Sequence, residues 1–296
     1  SLETIDIQNG NLSNLAPFTL DQTLKYIRNG KDLGEVVHND QAYQLFYHTA
    51  SILLNIGAKP NPGLATFKNQ TGFATSFGGP AIYNNLGTVT ELALCHCWYW
   101  KWLVYRKIRP DAFSLLIHNT KNKIKKYNLP ELLLNNEILE DIKTLYGNYT
   151  LPMSYREGSP VHPSYPSGHA TIAGACITLL KVYFDGNQKL NILTNIVVPD
   201  NSGDNLISYS GNDINDITID SELNKLAANV AYGRNWAGVH YRSDAEAGMK
   251  LGEDIVISWY QNVLSNQVEN KNGKLPVITI KKLNGELFNI VPAVAN

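Results

Sequence analysis

The chain has 296 residues, enough for one large domain with a sizeable core. Its composition is ordinary, 44% hydrophobic and 17% charged, which excludes a disordered chain, a collagen and a disulfide-stapled miniprotein. Twenty-five basic against 26 acidic residues give a net charge of −1, so no bulk charge is available to hold nucleic acid or an anionic membrane.

In chain order, residues 19–29 read as a helix capped by Thr19 and stopped at Gly30. Residues 39–56 carry a helical stripe of Ala42, Leu45, Phe46, Ile52, Leu53 and Ile56, ending at Gly57. Residues 72–80 are Gly-rich and end in Pro80, which predicts an irregular loop. Residues 85 to about 107 are apolar and aromatic with no internal Pro, and predict a buried helix. Further helices are expected at 111–126 and 130–145. Pro152, Pro160, Pro163 and Pro166 bar helix and central strand from the stretch they span. Residues 167–184 form a helix of small and apolar residues, and 187–219 a polar excursion with short strands. Helices at 221–231 and 240–264 precede a hairpin at 274–290 that turns on Asn284-Gly285. The fold expected is mainly α: one helical-bundle domain over 1–296 with a β-hairpin appendage at 274–290. No apolar run reaches the ~18 residues of a membrane span.

Cys95, Cys97 and Cys176 are too few for a disulfide framework and read as buried thiols. Cys95-His96-Cys97 lacks a second pair at zinc spacing.

Three segments carry chemistry. In His162-Pro-Ser-Tyr-Pro-Ser167-Gly168-His169, Pro166 leads into a helix whose first turn holds Ser167 and Gly168. Unpaired N–H groups and the helix dipole favour an anion there, Gly168 lets it approach the backbone, and His169 supplies an acid or base. In Arg234-Asn-Trp-Ala-Gly-Val-His240-Tyr-Arg-Ser-Asp244, the i,i+4 spacing predicts His240 and Asp244 on one helical face, where the carboxylate orients the imidazole. In Lys101-Trp-Leu-Val-Tyr-Arg-Lys-Ile-Arg109-Pro110, Lys101 follows Trp98, Tyr99 and Trp100, and a buried anion would explain a lysine there. Arg106 and Lys107 read as solvated side chains. Together the segments offer more donors than one another's charges need, a set suited to a tetrahedral oxyanion.

The order Lys…ArgPro, ProSerGlyHis, Arg…His…Asp resembles the signature shared by vanadium-dependent haloperoxidases and the type-2 phosphatidic acid phosphatase superfamily. The string from His162 to Ala175, with Gly233-Arg-Asn-Trp-Ala-Gly-Val-His-Tyr, looks most like the red-algal and cyanobacterial bromoperoxidases. The resemblance implies a vanadate cofactor. Lys101, Arg109 and Arg234 would bind its oxygens with the Ser167 hydroxyl and the Gly168 amide. His240 would bond vanadium, His169 would act as acid and base, Asp244 would support His240, and His162 would tune protonation or halide access. Seven residues separate Lys101 from Arg109, where the broad signature has six. A step of eight turns about 80° away from the helix face of Lys101, and Pro110 frees Arg109 to swing back past the helix end. Red-algal members are about twice this length, so the chain reads as the C-terminal half of a longer relative or as a short form completed by association.

The function implied is peroxide-driven oxidation of bromide or iodide on vanadate, giving hypohalous acid that halogenates a small organic substrate. The alternative in the same pocket is a soluble acid phosphatase with a His240 phosphohistidine; a third reading is a non-catalytic scaffold. Expected partners are hydrogen peroxide, halide and a small organic molecule, with self-association into a homo-oligomer and no nucleic acid or membrane. A secreted, periplasmic or cell-wall location rests on the resemblance alone.

Overall fold

A computed structural model of the chain describes residues 23–41, 43–64, 76–266 and 277–293. The architecture is a helical bundle built around one central helix. The elements are α1 (Gly30–Val36), α2 (Gln44–Asn55), α3 (Gly79–Tyr99) running into a π-helical turn (Trp100–Tyr105), α4 (Pro110–Lys121), α5 (Glu131–Leu134), α6 (Glu137–Tyr146), α7 (Gly168–Tyr183), α8 (Leu190–Leu193), β1 (Val197–Pro199), β2 (Leu206–Ser208), α9 (Ile219–Trp236), α10 (Arg242–Ser265), β3 (Ile278–Lys281) and β4 (Leu287–Ile290). Among the described residues no helix is long and apolar enough to cross a membrane.

α7 is the hub. Every residue from Ala170 to Tyr183 is buried, and α3, α9 and α10 all pack on it. α10 lies against α7 at backbone contact. A Cβ at Gly252 would sit 2.1 Å from Thr171 O, and one at Gly174 would sit 2.1 Å from Met249 O. Only glycine allows that approach, and the approach sets the N-terminus of α10 beside that of α7, where Ser167 N–H donates to Asp244 O at 3.0 Å.

Several sequence expectations need correction. Residues 23–29 are not helical; the chain there runs extended along residues 202–204, where Tyr26 N–H donates to Gly203 O and Lys25 pairs with Asp204. The rest of the expected 19–29 helix lies outside the described residues. Gly30 opens α1 rather than ending a helix, because the Asn29 side chain caps Lys31 N and Asp32 N. The aromatic helix begins at Gly79, six residues before the expectation, with Pro80 in its first turn. It is buried on one face only: Trp98, Tyr99, Trp102, Leu103 and Tyr105 are exposed. The expected 130–145 helix is two helices, broken at Asn135 and Asn136. α9 runs five residues beyond the expected 221–231, which places Arg234 in its last turn. Cys95 is exposed, whereas Cys97 and Cys176 are buried. The small β-hairpin is present, with β3 and β4 antiparallel and Ile278 paired with Ile290. Its turn differs from the expected two-residue type: Lys282 N–H donates to Glu286 O, so three residues form the loop, with Gly285 left-handed at φ 89°.

Candidate active site

The π-helical turn resolves the long spacing in the Lys101 segment. It underwinds the end of α3, Arg106 then adopts φ 44°, and Arg109 is extended (φ −73°, ψ 157°) as the residue before Pro110. Lys101 therefore points into the bundle while Arg109 folds back toward it. The Lys101 side chain is fully buried, and its Nζ donates to Pro163 O (2.6 Å) and Ser164 O (3.1 Å). Burial pushes its ammonium down to about 8, and the neighbouring Arg109 and Arg234 oppose its charge further. Arg109 is held on four sides: Nε donates to His162 O (2.9 Å), Nη1 to Val239 O (2.9 Å) and to His240 Nε2 (2.9 Å), and Nη2 to His162 Nδ1 (3.1 Å). Burial lowers its pKa to about 10, with Arg234 adding to the effect.

His240 and Asp244 meet as expected, but not along one helix face. His240 precedes α10, and Asp244, in the first turn, reaches back to Tyr241 N–H (3.1 Å) and His240 Nδ1 (3.0 Å). Burial raises the Asp244 carboxyl, but the hydrogen bonds from His240 and Lys107 outweigh it and hold the group at about 2. An ionised carboxylate can only accept, so the imidazole proton lies on Nδ1. Burial holds His240 well below its ordinary pKa, so the ring is neutral and Nε2 carries a lone pair, which takes the Arg109 N–H.

Lys107 is a site residue that sequence reasoning assigned to solvent. Its ammonium lies 3.0 Å from Asp244 Oδ1 and 4.1 Å from the centre of the Tyr241 ring. A lysine at a helix end looks the same in sequence whether it is solvated or folds back over two rings.

Arg234 sits on the opposite side. Nη1 donates to Val37 O (2.6 Å) and Tyr155 OH (3.3 Å), the guanidinium lies 5.2 Å from the Tyr155 ring centre, and Nε is buried with no partner among the described residues. The Val37 contact ties the end of α1 to the site. Just beyond it, Asp40 Oδ1 lies 2.8 Å from His169 Nε2. Asp40 is the second functional residue that the sequence did not reveal.

At the α7 N-terminus, Ser167 is the N-cap, with its hydroxyl accepting from Ala170 N–H at 3.5 Å. A Cβ at Gly168 would meet nothing within 4 Å, so this N-terminus opens on free space. His162 packs against Trp98, ring centres 4.7 Å apart. Burial and then Arg109 push His162 down to about 4, so it is uncharged near neutral pH. Two cavities flank the group. One of about 400 Å³ is lined by Arg109, His162, Trp102, Ile108, Leu115 and their neighbours. The other, of about 440 Å³, is lined by Arg234, His38, Asn39, Tyr155 and Glu157.

The balance of charge favours an anion. Lys101, Arg109 and Arg234 are buried cations, while the one wholly buried carboxylate among the site residues, Asp244, is already shared with Lys107 and His240. An unpartnered buried Nε on Arg234 and a helix N-terminus with open space fit a ligand rich in oxygen acceptors.

Residues 83–268 match the family model described as the VCPO second helical-bundle domain. The chain is 35% identical over 290 residues to a vanadium-dependent bromoperoxidase of Ascophyllum nodosum, covering 94% of this chain and 51% of that protein. It is also 35% identical over 278 residues to a vanadium-dependent bromoperoxidase of Corallina pilulifera, covering 85% of this chain and 45% of that one. Among solved structures, the homohexameric second vanadate-dependent bromoperoxidase of Ascophyllum nodosum matches with a TM-score of 0.84 at 30% identity, covering 98% of this chain and 53% of that chain. The chain spans about half the length of the curated relatives it matches.

Proposed function

The chain belongs to the vanadium haloperoxidase family through its VCPO second helical-bundle domain, and on that premise we propose that it binds vanadate and uses hydrogen peroxide to oxidise bromide or iodide. The product is a hypohalous acid that halogenates small organic molecules. The observation that carries this reading is the cluster of three buried cations, Lys101, Arg109 and Arg234, close enough to act on one another's charge, with Arg109 2.9 Å from Nε2 of a neutral His240.

Lys101, Arg109 and Arg234 would hold the oxygens of the group, helped by the Ser167 hydroxyl and the Gly168 amide. His240 would offer its Nε2 lone pair to the central atom, giving up the Arg109 hydrogen bond to do so. Asp244 keeps the proton on Nδ1 and so keeps that lone pair free. When bound, vanadate supplies a Lewis acid that activates peroxide without changing its own oxidation state. His169, oriented by Asp40, moves protons at the edge of the site. Exposed apolar side chains of α3 and the π turn outside the Arg109 cavity, among them Tyr99, Leu103 and Tyr105, are the surface through which copies of the chain associate into a homo-oligomer.

The test is to add orthovanadate, hydrogen peroxide and bromide to the metal-free protein and follow bromination of a phenol dye. A parallel sample receives p-nitrophenyl phosphate. Vanadate-dependent bromination is expected. Phosphate ester hydrolysis without bromination would replace this reading with a phosphohistidine phosphatase.

A further inference from the structure

Two cavities lie beside the site, and both expose mainly apolar surface. The one on the Arg234 side is lined by His38, Asn39, Tyr155, Glu157, Pro160 and Arg234 among others. The one on the Arg109 side presents Trp102, Ile108, Ala112 and Leu115, with Arg109 and His162 also in its lining. Ser159, Pro160 and Val161 border both and form a strap between them.

An apolar cavity of about 400 Å³ is in the size range of small-molecule sites and holds a one- or two-ring compound. Its floor is firm, because Arg109 is fixed by four hydrogen bonds and His162 by Arg109 and Trp98. Near neutral pH His162 adds an aromatic surface without charge. Two guanidinium groups, Arg106 and Arg109, line the same space, and cations attract electron-rich rings. Trp102 and Ile108 are exposed at its edge, where an aromatic ligand would cover them.

We propose that this cavity is a binding site for an electron-rich arene of the phenol class, held beside the centre where hypohalous acid is released. This rests on the halide-oxidising function above. In the step that follows, the ring carbon attacks the bromine of hypobromous acid and a C–Br bond forms as the Br–O bond breaks. The ring proton leaves with the hydroxide as water. Retention of the arene next to the source would direct the halogen to it before the acid escapes.

The test uses 4-bromophenol, a product-like probe, with the full chain in the absence of peroxide and bromide. Binding is followed by saturation-transfer NMR and titration calorimetry. Ala112 is exposed on α4 and lies outside the anion-binding set, so Ala112→Phe fills the cavity with little risk to the fold. Wild type should bind, and Ala112→Phe should weaken binding at least about tenfold, which is about 1.4 kcal/mol. Trp102→Ala, which removes a wall instead of filling the space, should weaken it in the same direction. With vanadate, peroxide and bromide but no arene, formation of tribromide should be equal in wild type and Ala112→Phe, while the KM for phenol rises in the variant. Absence of 4-bromophenol binding in wild type, or equal binding by Ala112→Phe, would overturn the proposal. Because binding is read without turnover, that result is distinguishable from a failure of halide oxidation, which the tribromide measurement reads alone.

Discussion

Asp40 and His169 lie 129 residues apart in sequence, yet Asp40 Oδ1 is 2.8 Å from His169 Nε2. α1 carries the carboxylate there: Gly233 of α9 lies close to Leu33 and Val37, and Arg234 bonds Val37 O. The carboxylate fixes the orientation of the imidazole proposed above as acid and base, as partners of this kind do at other sites. Asp40→Ala should leave vanadate affinity nearly unchanged and lower kcat for bromide by about tenfold to a hundredfold. Asp40→Asn should recover part of the loss, since an amide can still hold the ring. Equal kcat in Asp40→Ala and wild type, with vanadate bound in both, would remove Asp40 from this role.

What the sequence reveals about the site follows from distance along the chain. Ser167, Gly168 and His169 share one helix start, and His240 and Asp244 share one turn, so local rules locate them. The Lys101 segment is legible only in part, because eight residues on a regular helix cannot place Lys101 and Arg109 together and nothing in the letters signals a π turn or a left-handed Arg106. Asp40 and Lys107 stay hidden because tertiary packing alone defines their partners. The bundle itself is readable from the apolar, small-residue composition of α7. Residues 23–29 show the converse: an acceptable cap and a glycine stop look helical, but this stretch has tertiary partners at 202–204 instead.

Asp244 makes the folded protein sensitive to acid. Its native pKa is about 2, below the ordinary 3.8. Its contribution is therefore complete above about pH 4 and is lost as the pH falls toward 2, because the unfolded chain takes up the proton first. The shift corresponds to about 2 kcal/mol. Asp244→Asn should lower stability near neutral pH by about that amount, and the gap between variant and wild type should shrink from pH 4.5 to 2.5. Urea denaturation across that range measures it. A gap that stays constant with pH would mean that Asp244 is not held ionised by Lys107 and His240.

Phosphate should compete with vanadate. In the proposed donor set, Lys101, Arg109, Arg234, Ser167 and Gly168 would recognise tetrahedral oxygen and not the central atom, which gives little basis for rejecting an isosteric anion. Reconstitution with orthovanadate should be slower and less complete in phosphate buffer than in a non-coordinating buffer. His240→Ala should bind both anions weakly and lose halide oxidation altogether, because His162, the other uncharged imidazole on Arg109, contacts Nη2 and not Nη1 and lacks the Asp244 partner that fixes the tautomer of His240. Equal reconstitution in the two buffers, followed by bromination rate, would count against the proposed donor set.

Halide choice turns on the surroundings of His162. His162 lies seven residues before His169, in the string whose resemblance to algal bromoperoxidases implies bromide and iodide as the halides. Trp100, directly before Lys101, packs with Tyr99 and Tyr105. Trp98 is the tryptophan against His162, ring centres 4.7 Å apart. It covers one side of the imidazole, while the other edge takes an Arg109 N–H at 3.1 Å. Burial holds His162 at about 4, so above that pH it adds no positive charge to help activate bound peroxide, and chloride, the hardest of the three halides to oxidise, should gain least. Bromide and iodide should turn over at pH 6, with chloride weak or absent. Trp98→Ala should admit water to His162, raise its pKa toward the ordinary 6.5 and so alter the halide ratio below that value; Trp100→Ala should leave the ratio unchanged. Initial rates with each halide alone, in bromide-free chloride, give the comparison. Chloride turnover within about tenfold of bromide in wild type, about 1.4 kcal/mol in barrier, would show that His162 does not set the preference.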